Sequence, residues 1–246
     1  MARRLLAFTP HPDDETYSFG GTIALAARAG WACRVVCASA GEEGERRDGG
    51  APGATALAKA REDELAQSCR ILGAEPPVCW RLPDGGLATV TDGPARVAEA
   101  VAAFAPDVVV SLGADGAYGH PDHLAVYRWV AAAWGEMRGA RRRPLLLFAA
   151  FPRGLFLPQY ELCIGMMGNP PNPPASAIGV AHRDHEVDIT AVAATKLSAI
   201  AAHRTQLPGG DPRALFPPGI VDALLDREWF TDGGGRGAAA FVASLR

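Results

Sequence analysis

Residues 11–15 place one imidazole and three carboxylates, His11, Asp13, Asp14 and Glu15, around a single proline, Pro12. Carboxylates crowded this closely repel one another unless a cation or a dense hydrogen-bond network holds them. Pro10 and Pro12 stiffen the backbone, so the stretch reads as a rigid turn. A second cluster of the same chemistry follows at 118–123, Tyr-Gly-His-Pro-Asp-His. Each cluster offers donors at three-residue spacing, His11 with Asp14 and His120 with His123. Three nitrogen or oxygen ligands with one position left open describe a catalytic zinc site, and the same donors accept Fe²⁺. Either motif alone also fits a helix cap, with the aspartate accepting backbone N–H bonds. Two such motifs, each behind a strand, favour the metal.

The elements that must position these clusters follow from the apolar pattern. Residues 3–8 read as a first strand that empties into the first cluster, with an Ala- and Leu-rich helix over 19–29 closed by Gly30. A second strand is expected over 31–39, a mobile Gly-, Glu- and Arg-rich loop over 41–53, a helix over 56–72 and a short strand over 78–82. Pro94 opens a helix to residue 104. The three valines within 107–112 mark a buried strand of the parallel kind, which empties into the second cluster and a helix reaching about residue 137. A strand over 144–151 comes next. This alternation predicts a parallel, doubly wound sheet, whose ligands gather at the carboxyl ends of the strands. Beyond 151 the pattern degrades. The run Asn-Pro-Pro-Asn-Pro-Pro at 169–174 reads as a loop, a lid or a self-contact in a homo-oligomer. A short strand over 187–190 is followed by a helix over 191–204 with Thr190 as its cap.

With 246 residues, 48% hydrophobic and 21% charged, the chain is long enough for one sizeable core, and a single domain over 1–246 is expected. A net charge of -3 gives no reason to expect nucleic acid or an anionic membrane as partner. The basic run 141–143 reads as a solvated loop. The N-terminal apolar run spans four residues, short of the roughly 7–15 of a signal-peptide core, and no stretch approaches the roughly 18 of a membrane span. The odd count of five cysteines fits free thiols in a reducing cytoplasm. No G-x-G-x-x-G follows the first strand, which disfavours a dinucleotide enzyme.

The motifs Pro-His-Pro-Asp-Asp-Glu at 10–15 and His-Pro-Asp-His at 120–123 resemble the hallmarks of zinc-dependent N-acetylglucosaminyl deacetylases of the PIG-L/LmbE type. The resemblance extends to about residue 206 through Gly20-Gly21, the stretch 61–64, Leu-Pro-Asp-Gly at 82–85, and Lys196 to Gln206. It implies that His11, Asp14 and His123 bind the metal, that Asp13 is the general base, and that His120 stabilises or protonates the tetrahedral intermediate. It further implies that Asp122 orients His120, that Tyr118 contacts the developing oxyanion, and that Arg61 and Asp84 hold sugar hydroxyls. Elementary chemistry agrees with this division. Adjacent side chains diverge, so Asp13 does not chelate as Asp14 does and is free to take a proton. A histidine near neutral pKa suits proton donation, and a neighbouring carboxylate would keep it charged.

A planar guanidinium and a carboxylate suit a polyol, although Arg61 also fits a structural pair with Glu64 or Asp84. Glu15 reads equally as a support for a ligand histidine or as exposed, and His203 as structural. His182 and His185 read as solvated, and Trp80, Trp129 and Trp134 as core. The expectation is therefore a Rossmann-like three-layer α/β sandwich with a mostly parallel twisted sheet. It would be a cytoplasmic metal-dependent amidohydrolase acting on an N-acetylated amino-sugar small molecule. The alternatives are an amidase of thiol-sugar S-conjugates and, from another class, an inactive sugar-binding protein.

Overall fold

The computed structural model describes residues 3–137 and 143–245; Arg141 and Arg142 of the basic run lie outside them. The elements run β1 (Arg4–Thr9), α1 (Asp14–Arg28), β2 (Ala32–Ser39), α2 (Ala54–Leu72), β3 (Val78–Leu82), α3 (Gly93–Phe104) and β4 (Val108–Ser111). An irregular turn α4 (Gly116–Gly119) leads to α5 (Pro121–Glu136), then β5 (Leu145–Ala149), α6 (Leu157–Leu162), β6 (His185–Asp188) and α7 (Ala193–Ile200). The chain closes with α8 (Ile220–Leu224), β7 (Arg227–Gly234) and α9 (Ala238–Ala243).

The seven strands form one sheet in the order β3-β2-β1-β4-β5-β7-β6. β1 to β5 pair in parallel, while β7 runs antiparallel to both β5 and β6. Strand alternation divides the core between the two faces. Leu5, Ala7, Val108 and Val110 pack with α1, α2 and α7 on one side. Leu6, Phe8 and Val109 pack with Val97, Val126 and Trp129 on the other. The fold is thus the expected Rossmann-like α/β sandwich. Chain order reverses at β1, with β2 on one side and β4 on the other. This is the topological switch point, and the two His/Asp clusters leave the carboxyl ends of these adjacent strands.

Three departures from the sequence expectations have local causes. The first helix begins at Asp14, not at 19, and breaks at Phe19, which sits at φ -153°. Glu228 of β7 makes the break tolerable: its Oε1 and Oε2 accept the N–H groups of Gly21 and Thr22, each at 2.7 Å. Second, residue 190 does not cap a helix; a 3-10 turn over Thr190–Val192 precedes α7, which stops at Ile200. Third, β7 arises from a segment with no strand signal, because its second half is Thr-Asp-Gly-Gly and its inward Glu228 breaks the apolar alternation.

Gly21 also meets Ile189 so closely that an added Cβ would lie 2.6 Å from its Cγ2. Gly21→Ala is therefore expected to destabilise by about 1–3 kcal/mol through overpacking, read as a lower urea midpoint. An unchanged midpoint would show that the kink can open.

Trp129 and Trp134 are buried in the second core cluster, with Trp80 packed against it. All five cysteines are free thiols. Among the described residues no helix is long and apolar enough to cross a membrane.

Candidate metal centre

The first cluster is anchored from below. The Pro10 carbonyl accepts the Ser39 N–H at 2.9 Å and the Ser39 hydroxyl at 3.0 Å, tying the end of β1 to the end of β2. Asp13 then adopts φ 115° and ψ -32°, a left-handed conformation that non-glycine residues seldom hold. Asp13 is the residue that caps α1, yet its side chain makes no capping bond. Its carboxylate is left for other work, which removes the simple helix-cap reading of this motif.

Asp14 joins the two clusters. Its Oδ2 lies 3.3 Å from His11 Nδ1, and its Oδ1 lies 3.4 Å from His123 Nε2. His123 is 1% exposed, and its Nε2 finds no hydrogen-bond partner among the described residues. A buried orphaned nitrogen facing a carboxylate is the signature of an atom reserved for a ligand. The other nitrogen of His11 faces Asp84 Oδ1 at 3.0 Å and Asp122 Oδ2 at 3.3 Å. An imidazole with one nitrogen toward the donor set and the other on a carboxylate is how metal-binding histidines are oriented. Two donor groups fall within 4.8 Å: His11, His120 and His123, and His11, Asp84 and Asp122. The residues present therefore fit a divalent ion.

The electrostatics agree. Burial alone would lower the His11 pKa, but Asp122, Asp14 and Asp84 together hold it well above its usual value. A pocket that keeps a proton on His11 is one that attracts a cation. Burial works to raise the Asp14 carboxyl, yet His123 and His11 hold it well below the usual range. Burial pushes His123 down to about 4, leaving the neutral imidazole that a ligand needs. Burial raises Asp13 to about 7; the Arg61 guanidinium opposes this, and the Asp14 and Glu15 charges add to it.

His120 caps α5, and its Nδ1 accepts the Asp122 N–H at 3.2 Å. The acceptor nitrogen is unprotonated, so the ring's proton sits on Nε2. Burial, with His123 and His11 nearby, lowers its pKa to about 2. The Asp122 carboxylate does not turn to His120 as expected. It accepts the N–H groups of Gly85 and Leu87 at 2.8 and 3.0 Å and faces His11. Tyr118 lies edge-on to His120 and His123, with centroids 5.9 and 5.3 Å away, and burial pushes its phenol well above the usual range.

Arg61 is 4% exposed, and its ion pair is with Asp13 rather than with Glu64 or Asp84. It donates to the carbonyls of Gly41 at 2.9 Å and Pro12 at 2.5 Å, and to Asp13 Oδ2 at 3.1 Å. Asp84 accepts the Glu43 N–H at 2.9 Å, the Glu42 Oε1 accepts the Asp84 N–H at 3.0 Å, and the Arg47 N–H reaches the Thr205 carbonyl at 2.7 Å, so the expected mobile loop is tethered to the rest of the chain. His185 starts β6 and pairs with Asp232 at 3.0 Å, while exposed His182 lies 3.5 Å from Asp184, both away from the centre.

Asp13, Asp14, His11, His120, Tyr118, Arg61 and Asp84 line one cavity of about 340 Å³. Asp122 and His123 lie behind it. The cavity has a polar wall of Glu43, Arg47 and Gln206 and an apolar wall of Met166, Leu215 and Phe216. These six went unread in the sequence. Only Gln206 had a signal, as the end of the stretch after Lys196; the others come from aperiodic Gly- or Pro-rich segments.

Fold and site together define a doubly wound α/β protein with a His/Asp cluster in its switch-point loops that could hold a metal ion. The family model described as PIG-L, GlcNAc-PI de-N-acetylase, matches residues 6–134, and the chain belongs to that family. A relative from Saccharomonospora viridis, 1D-myo-inositol 2-acetamido-2-deoxy-alpha-D-glucopyranoside deacetylase, is 31% identical over 89% of this chain and 91% of its own. Two solved structures share the fold. N,N'-diacetylchitobiose deacetylase from Pyrococcus horikoshii is 19% identical with a TM-score of 0.65, covering 94% of this chain and 85% of its own. GalB, the 4-carboxy-2-hydroxymuconate hydratase from Pseudomonas putida KT2440, is 22% identical with a TM-score of 0.68, covering 95% and 97%. The fold therefore serves more than one hydrolytic or hydration chemistry, and the site must decide between them.

Proposed function

We propose that this chain, as one domain, is a metal-dependent hydrolase that removes the N-acetyl group from an N-acetylglucosamine-containing small molecule. The observation that carries the reading is Asp14 bridging two buried histidines beside Asp13, a carboxylate left free of any capping role. His11, Asp14 and His123 would hold the ion, with Zn²⁺ as the first choice and Fe²⁺ as the second. A divalent ion there supplies Lewis acidity, polarising the amide carbonyl and acidifying water.

The chain's own groups do the rest. Asp13, titrating near 7, takes a proton from the attacking water and returns it to the departing amine. Arg61, bonded to Asp13 and to the Pro12 carbonyl, holds the base in place. His120 is neutral with its proton on Nε2, which suits hydrogen-bond donation to the developing oxyanion better than proton transfer. Tyr118 retains its phenolic proton and is a second donor. Asp84 and Gln206 offer partners for sugar hydroxyls, and the relative's name makes an N-acetylglucosaminyl inositol the first compound to assay.

The test is acetate release from a panel of N-acetylglucosamine derivatives that differ only in the aglycone, with metal analysis of the purified protein. Release that depends on a bound divalent metal supports the reading. Absence of bound metal after reconstitution overturns it. His120→Ala is expected to lower kcat by about 10²–10³-fold, the effect of losing one oxyanion donor, with metal content unchanged.

A further inference from the structure

We propose that Glu15, braced by Ser68 and His203, is the positioning group that sets the backbone of Asp13 for proton transfer. The proposal rests on the reading of Asp13 as the base. Glu15 is fully buried, and its carboxylate makes three hydrogen bonds from three separate parts of the chain. Oε2 accepts the Asp13 N–H at 2.9 Å. Oε1 accepts the Ser68 hydroxyl from α2 at 2.5 Å and lies 2.8 Å from Nε2 of His203, which follows α7.

The first bond explains how Asp13 escapes the ordinary fate of its position. A helix-capping aspartate normally turns its carboxylate back onto the N–H groups of the first turn. Here Glu15, at the second helical position, reaches back to the capping residue's own N–H, as the acidic residue of a capping box does from the third. Thr16 holds the other end of the same residue, its N–H and hydroxyl reaching the Asp13 carbonyl at 2.9 and 2.6 Å. With both backbone groups claimed, Asp13 keeps φ 115° and its carboxylate turns to Arg61 and the cavity. A conformation of this kind is sparsely populated and persists only where neighbours over-determine it. Glu15 is the neighbour that does so, and His203 supplies the opposite charge that lets a carboxylate stay buried there. Burial works to lower the His203 pKa, but Glu15 raises it, consistent with an ion pair.

A reacting group displaced by about 1 Å loses about a hundredfold in rate. Glu15→Ala is therefore expected to lower kcat about a hundredfold, with KM and metal content within twofold of the parent. Glu15→Gln should recover part of the loss, because the amide oxygen still accepts the Asp13 N–H. The deciding measurement is the double variant. If Glu15 acts through Asp13, Glu15→Ala adds less than threefold to the loss already caused by Asp13→Ala. Losses that multiply in full, or a loss that appears in KM or in bound metal, overturn the proposal while leaving the base assignment intact. A fully active Asp13→Ala enzyme removes both. Should Glu15→Ala fail to fold, His203→Gln, which keeps a donor but no charge, must show the same confinement to kcat.

Discussion

Asp13→Ala is expected to lower kcat by about 10²–10⁴-fold, the usual contribution of a positioned general base, while the protein keeps its metal and its fold. Metal binding should survive because the proposed donors Asp14, His11 and His123 are held by one another, with no side-chain pairing to the Asp13 carboxylate needed. The fold should survive because Arg61, though buried, still donates to the Pro12 and Gly41 carbonyls after its carboxylate partner is gone. Asp13→Asn separates charge from shape. The amide retains an acceptor for Arg61 but not the basicity, so it should be impaired nearly as much as the alanine variant. Steady-state kinetics, metal content and a urea midpoint measured on the same preparations check all three statements. Activity of either variant within threefold of the parent would remove Asp13 from the base's role.

The second large effect is on stability. Lys196 and Glu228 form an ion pair at 2.6 Å with side chains 0% and 1% exposed. Lys196 also donates to the Tyr17 carbonyl at 3.2 Å, the acceptor released where α1 breaks. Glu228 holds the two N–H groups on the other side of the break. Lys196→Met keeps most of the side-chain volume but leaves a carboxylate buried without its counter-charge. Breaking a buried pair in this way is expected to destabilise by about 3–5 kcal/mol, a large share of the roughly 5–15 kcal/mol that a domain has. The loss should appear as a lower urea midpoint with an unchanged slope. Lys196→Met combined with Glu228→Gln should be more stable than Lys196→Met alone, since no buried charge remains. A double variant no better than the single would show that the backbone contacts, and not the charge, dominate.

The two motifs were legible because ligand chemistry is local. His11 and Asp14, or His120 and His123, share one turn by spacing alone, and strand patterns placed each pair at a strand's end. The role expected for Asp122 shows where such reading fails. Positions two apart at a helix start do not face each other. Asp122 therefore turns to the 85–87 loop and His11, while His120 meets only its backbone. The strand β7 was unreadable for a related reason: its inward Glu228 is polar because it answers a helix break more than two hundred residues earlier.

From the sequence alone came the α/β alternation, the candidate ligand residue types and the candidate base. Periodicity and motif spacing are properties of neighbouring residues and need no knowledge of the rest of the chain. Only the tertiary structure decided that β1 and β4 lie side by side, bringing His123 to Asp14, and that Glu15 is buried against Ser68 and His203. Those pairings depend on which strands and helices pack together. A buried carboxylate takes its partners from whatever that packing delivers, however distant in sequence.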